Sequence, residues 1–131
     1  MSTNAAYASS PRYEIAYLSA AVDGYDGASS TAIVSLFTGG DNGSRVDQIG
    51  WAAQGTTTAG QLKFFARESS TDTWRFFFAQ AVEARSVSAQ AAPVSGGYSN
   101  LNWILKAGAQ VGVATHNAEN FMVHVTNSGD F

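Results

Sequence analysis

The residues best suited to chemistry lie in the last stretch of the chain, VATHNAENFMVHVTNSGDF, which holds both histidines, His116 and His124, with Glu119 and Asp130. Two imidazoles and a carboxylate are the ligand types of a catalytic zinc site and the parts of an acid–base pair. A zinc site needs three or four such ligands converging at about 2 Å, usually oriented by a further shell of hydrogen bonds. The spacing argues against one. Phe121, Val123 and Val125 alternate with Met122, His124 and Thr126, which reads as a strand with His124 turned away from the core. Val111, Val113 and Thr115 share a face of the preceding strand. His116 to Glu119 then have the length of a turn, and Asn117 tolerates the left-handed conformation that turns use. The expected element is an antiparallel hairpin of 111–115 against 120–126 with His116 at its tip. Only a tip folded back over its own strand would bring His116, Glu119 and His124 together, so no metal or cofactor is expected. Phe131 is expected to pack on the end of the domain or on a neighbouring subunit, with Asp130 near solvent.

Other chemistries are weaker still. There is no cysteine and no Gly-x-Ser-x-Gly elbow for a nucleophile. Ten acids always permit some carboxylate pairing, but Asp23, Asp26, Asp41 and Asp72 neighbour Gly, Ser or Thr and read as turn residues. DGYDG lacks the alternating ligands and closing Glu of a calcium loop. QGTTTAGQ lacks the Gly-Lys-Ser/Thr of a phosphate loop and reads as a connection between two sheets. Trp51, Trp74 and Trp103, with Tyr98, are the residues from which a sugar platform would be built. Core packing is the stronger use for them, because aromatics carry much of a small core's apolar area.

The elements that position these residues are strands. Candidates run through YEIAYL (13–18), TAIVSLF (31–37), RVDQIGWAA (45–53), QLKFFAR (61–67), WRFFFAQAVEA (74–84), YSNLNWILKAG (98–108), AQVGVAT (109–115) and NFMVHVTN (120–127). In QLKFFAR, Leu62, Phe64 and Ala66 alternate with Lys63, Phe65 and Arg67. The alanine-rich passage 79–92 is a helical contender, but Ser86, Val87 and Ser88 weaken it, and it reads as strand plus loop. About eight short strands separated by turn signals predict an all-β, jelly-roll-like sandwich in one domain, residues 12–131. Residues 1–11 are small and polar, end at Pro11, and read as an N-terminal arm too poor in apolar residues to order alone.

Composition narrows the function. A chain of 131 residues fits one domain that buries roughly two-thirds of its unfolded surface. Charged residues are only 13% against an aromatic content of 12%, a balance suited to a surface that contacts neighbours. A net charge of −3 does not suit a nucleic-acid module. The first residues lack the basic and apolar regions of an export signal, and no run of about 18 apolar residues suggests a membrane span.

GSRVD (Gly43 to Asp47), GTTTAG (Gly55 to Gly60), THNAE (Thr115 to Glu119) and the closing GDF (Gly129 to Phe131) give the chain a resemblance to small virion-associated proteins of tailed bacteriophages and prophages. The resemblance runs over residues 12 to 131. Its departures are Asn127-Ser128 before the final Gly-Asp-Phe and the aromatic-rich WRFFFAQ. It implies a non-enzymatic decoration or cement protein on the capsid exterior, assembled as a homotrimer, with the major capsid protein as partner. The arm residues Ser2, Thr3, Asn4 and Tyr7, with Arg12 at the arm's root, are then the expected capsid contacts. A receptor- or glycan-binding fibre module, using Trp51, Trp74 and Trp103, is the alternative from another class.

Replacing His116 and His124 together by Gln is expected to leave stability within about 1 kcal/mol of the native chain, as for residues outside a core or network. Chemical denaturation and elemental analysis of both proteins check this. Stoichiometric zinc lost in the double variant would overturn the reading.

Overall fold

The computed structural model describes residues 10–22, 24–27 and 32–131. Among these, eleven strands and no helix occur: β1 (Ser10–Leu18), β2 (Asp26–Gly27), β3 (Val34–Thr38), β4 (Ser44–Val46), β5 (Gln48–Ala53), β6 (Gly60–Arg67), β7 (Trp74–Val82), β8 (Ser95–Tyr98), β9 (Trp103–Leu105), β10 (Gln110–Thr115) and β11 (Phe121–Asp130). Their β-branched and aromatic content suits a pleated, half-buried surface, and Gly, Ser, Asn and Asp punctuate them. Two antiparallel sheets form a jelly-roll-like sandwich. The segments 45–53 and 98–108 each contain a break, at Asp47 and around the left-handed Asn100 and Asn102, and so count as two strands each. Residues 79–92 are strand as far as Val82 and then loop.

Strand β11 organises the first sheet. Along one edge it pairs with β1, from Ser10↔Asp130 to Leu18↔Phe121. Along the other it pairs with β4 and β5 in a single register, from Asp130↔Ser44 to Phe121↔Ala53. Strands β9 and β8 then extend the sheet from β4 and β5. The second sheet runs β2-β7-β6-β10-β3. Between the sheets lies one core in which Phe121, Val123 and Val125 are buried with Leu62, Phe64 and Val113, as the alternation around Phe121 predicts.

The connection 116–120 is not a hairpin tip. β10 pairs with β6 and β3 in the second sheet, whereas β11 pairs only within the first. The expected hairpin of 111–115 against 120–126 is therefore replaced by a crossover. Strand alternation and turn length are the same for both, so local sequence does not distinguish them. The loop 54–59 likewise crosses from β5 to β6, as the reading of QGTTTAGQ predicts.

The alternation in QLKFFAR does not separate a buried face from a solvated one, since Leu62, Lys63, Phe64 and Phe65 are all buried. A second apolar cluster of Val22, Phe65, Trp74 and Ala114, with Ala32 and Ile33 against it, lies on the outer side of this sheet. Lys63 lies under the same cover. Its Nζ donates to Val22 O (2.7 Å) and Gly24 O (3.0 Å) and sits 4.6 Å from the centre of the Tyr25 ring. Carbonyl partners and a ring face are what a buried ammonium requires.

Truncating Phe121 to Ala, at the heart of the seam between the sheets, is expected to cost about 3–5 kcal/mol through the cavity it opens. A guanidinium unfolding midpoint against the native chain measures this, and a loss under 1 kcal/mol would show that the seam can collapse around the gap.

Candidate functional site

The segments GSRVD, GTTTAG, THNAE and GDF meet in pairs, one pair at each end of the sandwich. At one end the crossovers 54–59 and 116–120 clasp each other. Thr58 donates to Glu119 Oε2 from its backbone N–H (2.8 Å) and its hydroxyl (3.0 Å). Asn117 Nδ2 donates to Ala59 O (3.2 Å), and His116 N donates to Gln61 O (2.9 Å). Glu119 thus fixes a backbone donor between loops. His116 is a loop residue, as expected, and His124 a mid-strand residue. Among the described residues no three His, Cys, Asp or Glu side chains are placed to hold a metal ion.

At the other end Phe131 N donates to Gly43 O (3.1 Å), and Asp130, whose side chain stays 33% exposed near solvent as expected, is also held by hydrogen bonds. Ser44 Oγ donates to Asp130 Oδ1 (2.5 Å) and accepts from Gly40 N (2.8 Å). Arg12 Nη1 donates to Asp130 Oδ1 (2.9 Å) and Thr38 O (2.6 Å), its Nη2 pairs with Glu14 (2.5 Å), and its guanidinium lies 4.0 Å over the Phe37 ring. The Ser44 hydroxyl first, and then Arg12, hold the Asp130 carboxyl below its ordinary pKa. Arg12, expected to contact the capsid, is occupied within the fold. Ser10 and Pro11, assigned by sequence to the arm, belong to β1. Ser2, Thr3, Asn4, Tyr7 and Asp23 lie outside the described residues.

Nearby, Asp47 occupies the break between β4 and β5. Its carboxylate accepts from Asn102 N (3.2 Å) and Asn127 Nδ2 (3.1 Å), while its own N–H donates to Ser128 Oγ (3.1 Å) and its carbonyl accepts from Leu101 N (3.0 Å). These bonds explain Asp47 without catalysis.

The three tryptophans form no common platform. Trp51 is buried in the main core beside Phe121, and Trp74 is buried in the outer cluster under Arg67. Trp103 alone is half-buried, edge-on to Phe77 and Phe78. A core between two sheets needs large rings on facing strands, and that demand takes Trp51 out of any surface.

What reaches the surface is different. Strand β1 turns Ala16 and Leu18 inward and presents Tyr13, Ile15 and Tyr17, which are 56%, 39% and 69% exposed. Beside them His124 packs edge-on to Tyr13, with the tyrosine hydroxyl 3.3 Å from Nδ1. The imidazole lies over Gly50, where a Cβ would collide with it, at the side of a shallow hollow of about 270 Å³. At the opposite edge of the same sheet, β9 borders a groove of about 1060 Å³ whose apolar lining includes Phe76, Phe77, Trp103 and Ile104. The pairing of β6 with β7 slips between Phe64 and Phe65, leaving Phe77 as a bulge residue. Ile104 is 65% exposed, and Phe76 and Phe77 are 37% and 42% exposed. The period-two spacing of Tyr13, Ile15 and Tyr17 was the sequence signal for the first surface. The bulge at Phe77 left none.

Because the folded chain favours ionised Asp130, this group adds stability above the ordinary carboxylate range, and the contribution fades as pH falls through its lowered pKa. Asp130→Asn is therefore expected to destabilise the protein near neutrality, with the gap to the native chain closing in acid. Urea midpoints across a pH series test this; a gap independent of pH would show that ionisation plays no part.

No family model matches the chain, and no curated protein matches it. Among solved structures it is similar to the Eiger TNF from S. frugiperda, with 10% sequence identity and a TM-score of 0.42 over 86% of this chain and 85% of that one.

Proposed function

We propose that this β-sandwich is a structural protein of a tailed-phage particle that binds the outer surface of the capsid and reinforces it, assembled as a trimer. The observation that carries the reading is the pair of exposed apolar surfaces, the Tyr13–Ile15–Tyr17 stripe and the Phe77–Trp103–Ile104 groove, on one small domain. Contiguous exposed apolar area of this kind marks a surface that meets other protein. The particle context of this reading comes from the resemblance of GSRVD, GTTTAG, THNAE and GDF to segments of virion proteins. Their side chains clasp loops and strand ends, so what they maintain is the fold that presents these surfaces. Many copies bound side by side gain strength through multivalency, which lets a weak individual contact reinforce a shell. The glycan-binding alternative loses its three-tryptophan platform, because Trp51 and Trp74 are buried in separate clusters.

Residues 1–9 supply the capsid contact in this reading, since Arg12 is engaged within the fold. Deleting residues 1–9 is expected to leave thermal unfolding nearly unchanged while lowering occupancy on particles. Deleting residues 1–12 also removes the pairs Ser10↔Asp130, Pro11↔Gly129 and Arg12↔Ser128 and should lower the melting temperature clearly. Calorimetry with a particle-pelleting assay reads both effects. Full occupancy after the shorter deletion would remove these residues from the capsid contact.

A further inference from the structure

The stripe and the groove lie at opposite edges of one sheet, β1 at one side and β9 at the other. They also differ in kind. The stripe consists of side chains projecting from an edge strand, with Tyr17 the most exposed of them. The groove is a concavity of about 1060 Å³, with Phe77 and Trp103 in its lining and Arg75, Asp72, Lys106 and Glu68 around it. Two of those charged pairs already meet, Lys106 with Glu68 at 3.6 Å and Arg75 with Asp72 at 4.0 Å. The groove therefore offers rings for apolar contact and balanced polar groups for a tyrosine hydroxyl.

A single two-fold interface covers one side of a subunit and leaves a patch on the opposite side open. One head-to-tail contact covers two unlike patches on separate sides at once, and it closes into a ring when the rotation between copies permits. We infer that the second copy is the occupant of the groove: the Tyr13–Ile15–Tyr17 stripe of one subunit seats in the Phe77–Trp103–Ile104 groove of the next. This inference rests on the self-association in the functional reading above and names the surfaces that carry it. The sizes agree. A whole aromatic side chain offers about 150–250 Å², so the exposed parts of the three stripe residues together offer roughly 300 Å². That is enough for the apolar centre of a standard interface of about 800 Å² per partner, with polar groups completing the rim.

The chain has no cysteine, so introduced ones report unambiguously. Tyr17→Cys and Ile104→Cys alter exposed positions, and each variant is checked for native circular dichroism. With a short bis-maleimide, a mixture of the two single variants is expected to give a covalent dimer that neither gives alone. The variant carrying both changes is expected to give a closed trimer. A second measurement uses charge: Tyr17→Lys and Ile104→Glu should each weaken association by about tenfold or more, as at a central interface residue, and combining both changes in one chain, which sets the new lysine against the new glutamate at every contact of the ring, should restore it in light scattering. Cross-linking of either single variant to itself would overturn the head-to-tail contact. A trimer in light scattering without the mixed product would overturn this inference alone, while a strict monomer both in solution and on particles would overturn it together with the trimer.

Discussion

A chain that repeatedly leaves one sheet for the other must satisfy the backbone polar groups it takes out of the ladders, because an unpaired buried N–H or C=O costs about as much as a lost hydrogen bond. The fold meets this constraint by setting crossovers against each other. The loop from β5 to β6 is held against the loop from β10 to β11 by Glu119 and Asn117. At the far end the connection after β3 is bound to the one after β9 by Gly39 N donating to Ala109 O (2.8 Å) and Gly108 N donating to Gly39 O (3.0 Å). Arg12, Ser44 and Asp130 close the same end from the side of β1.

With its ends held, the sandwich concentrates apolar burial along β11. This strand pairs on both edges and turns Phe121, Val123 and Val125 into the core. The stacked rings of Phe64 and Phe78, 4.4 Å apart, continue the core toward Trp103 and Tyr98. The aromatic content has too few places inside. The bulge at Phe77 in the second sheet and the outward row of Tyr13, Ile15 and Tyr17 on the β1 edge of the first place the remainder on the surface. Surface aromatics contribute little to folding where they stand but are suited to a partner, which links the shape of the core to the proposed role in assembly.

Glu119 and Asp130, two of the acids first weighed for chemistry, serve as fasteners in this architecture, and Asp47 does the same. Asp47 receives two hydrogen bonds on its carboxylate and two through its backbone, Asp130 accepts from Ser44 and Arg12, and Glu119 accepts from Thr58. Lys63 serves the same end on the outer side of the second sheet, binding the carbonyls of Val22 and Gly24. A carboxylate on an edge or crossover can accept several bonds at once, and an ammonium can donate three.

Period-two alternation and turn residues in the sequence were enough to determine an all-β sandwich, the inward set Phe121, Val123 and Val125, and the sheet-to-sheet role of the loop 54–59. These follow from local preference and from the need to bury one face of each strand. Sequence could not tell a hairpin from a crossover at 116–120, because both satisfy the same alternation and differ only in which distant strand accepts the hydrogen bonds. Nor could it place Trp51 and Trp74 in separate interiors, show that Lys63 is covered on the outer face of its sheet, or free Phe77 by a slip in pairing. Each of those depends on contacts between residues far apart in the chain, and only the packing of one sheet on the other decided them.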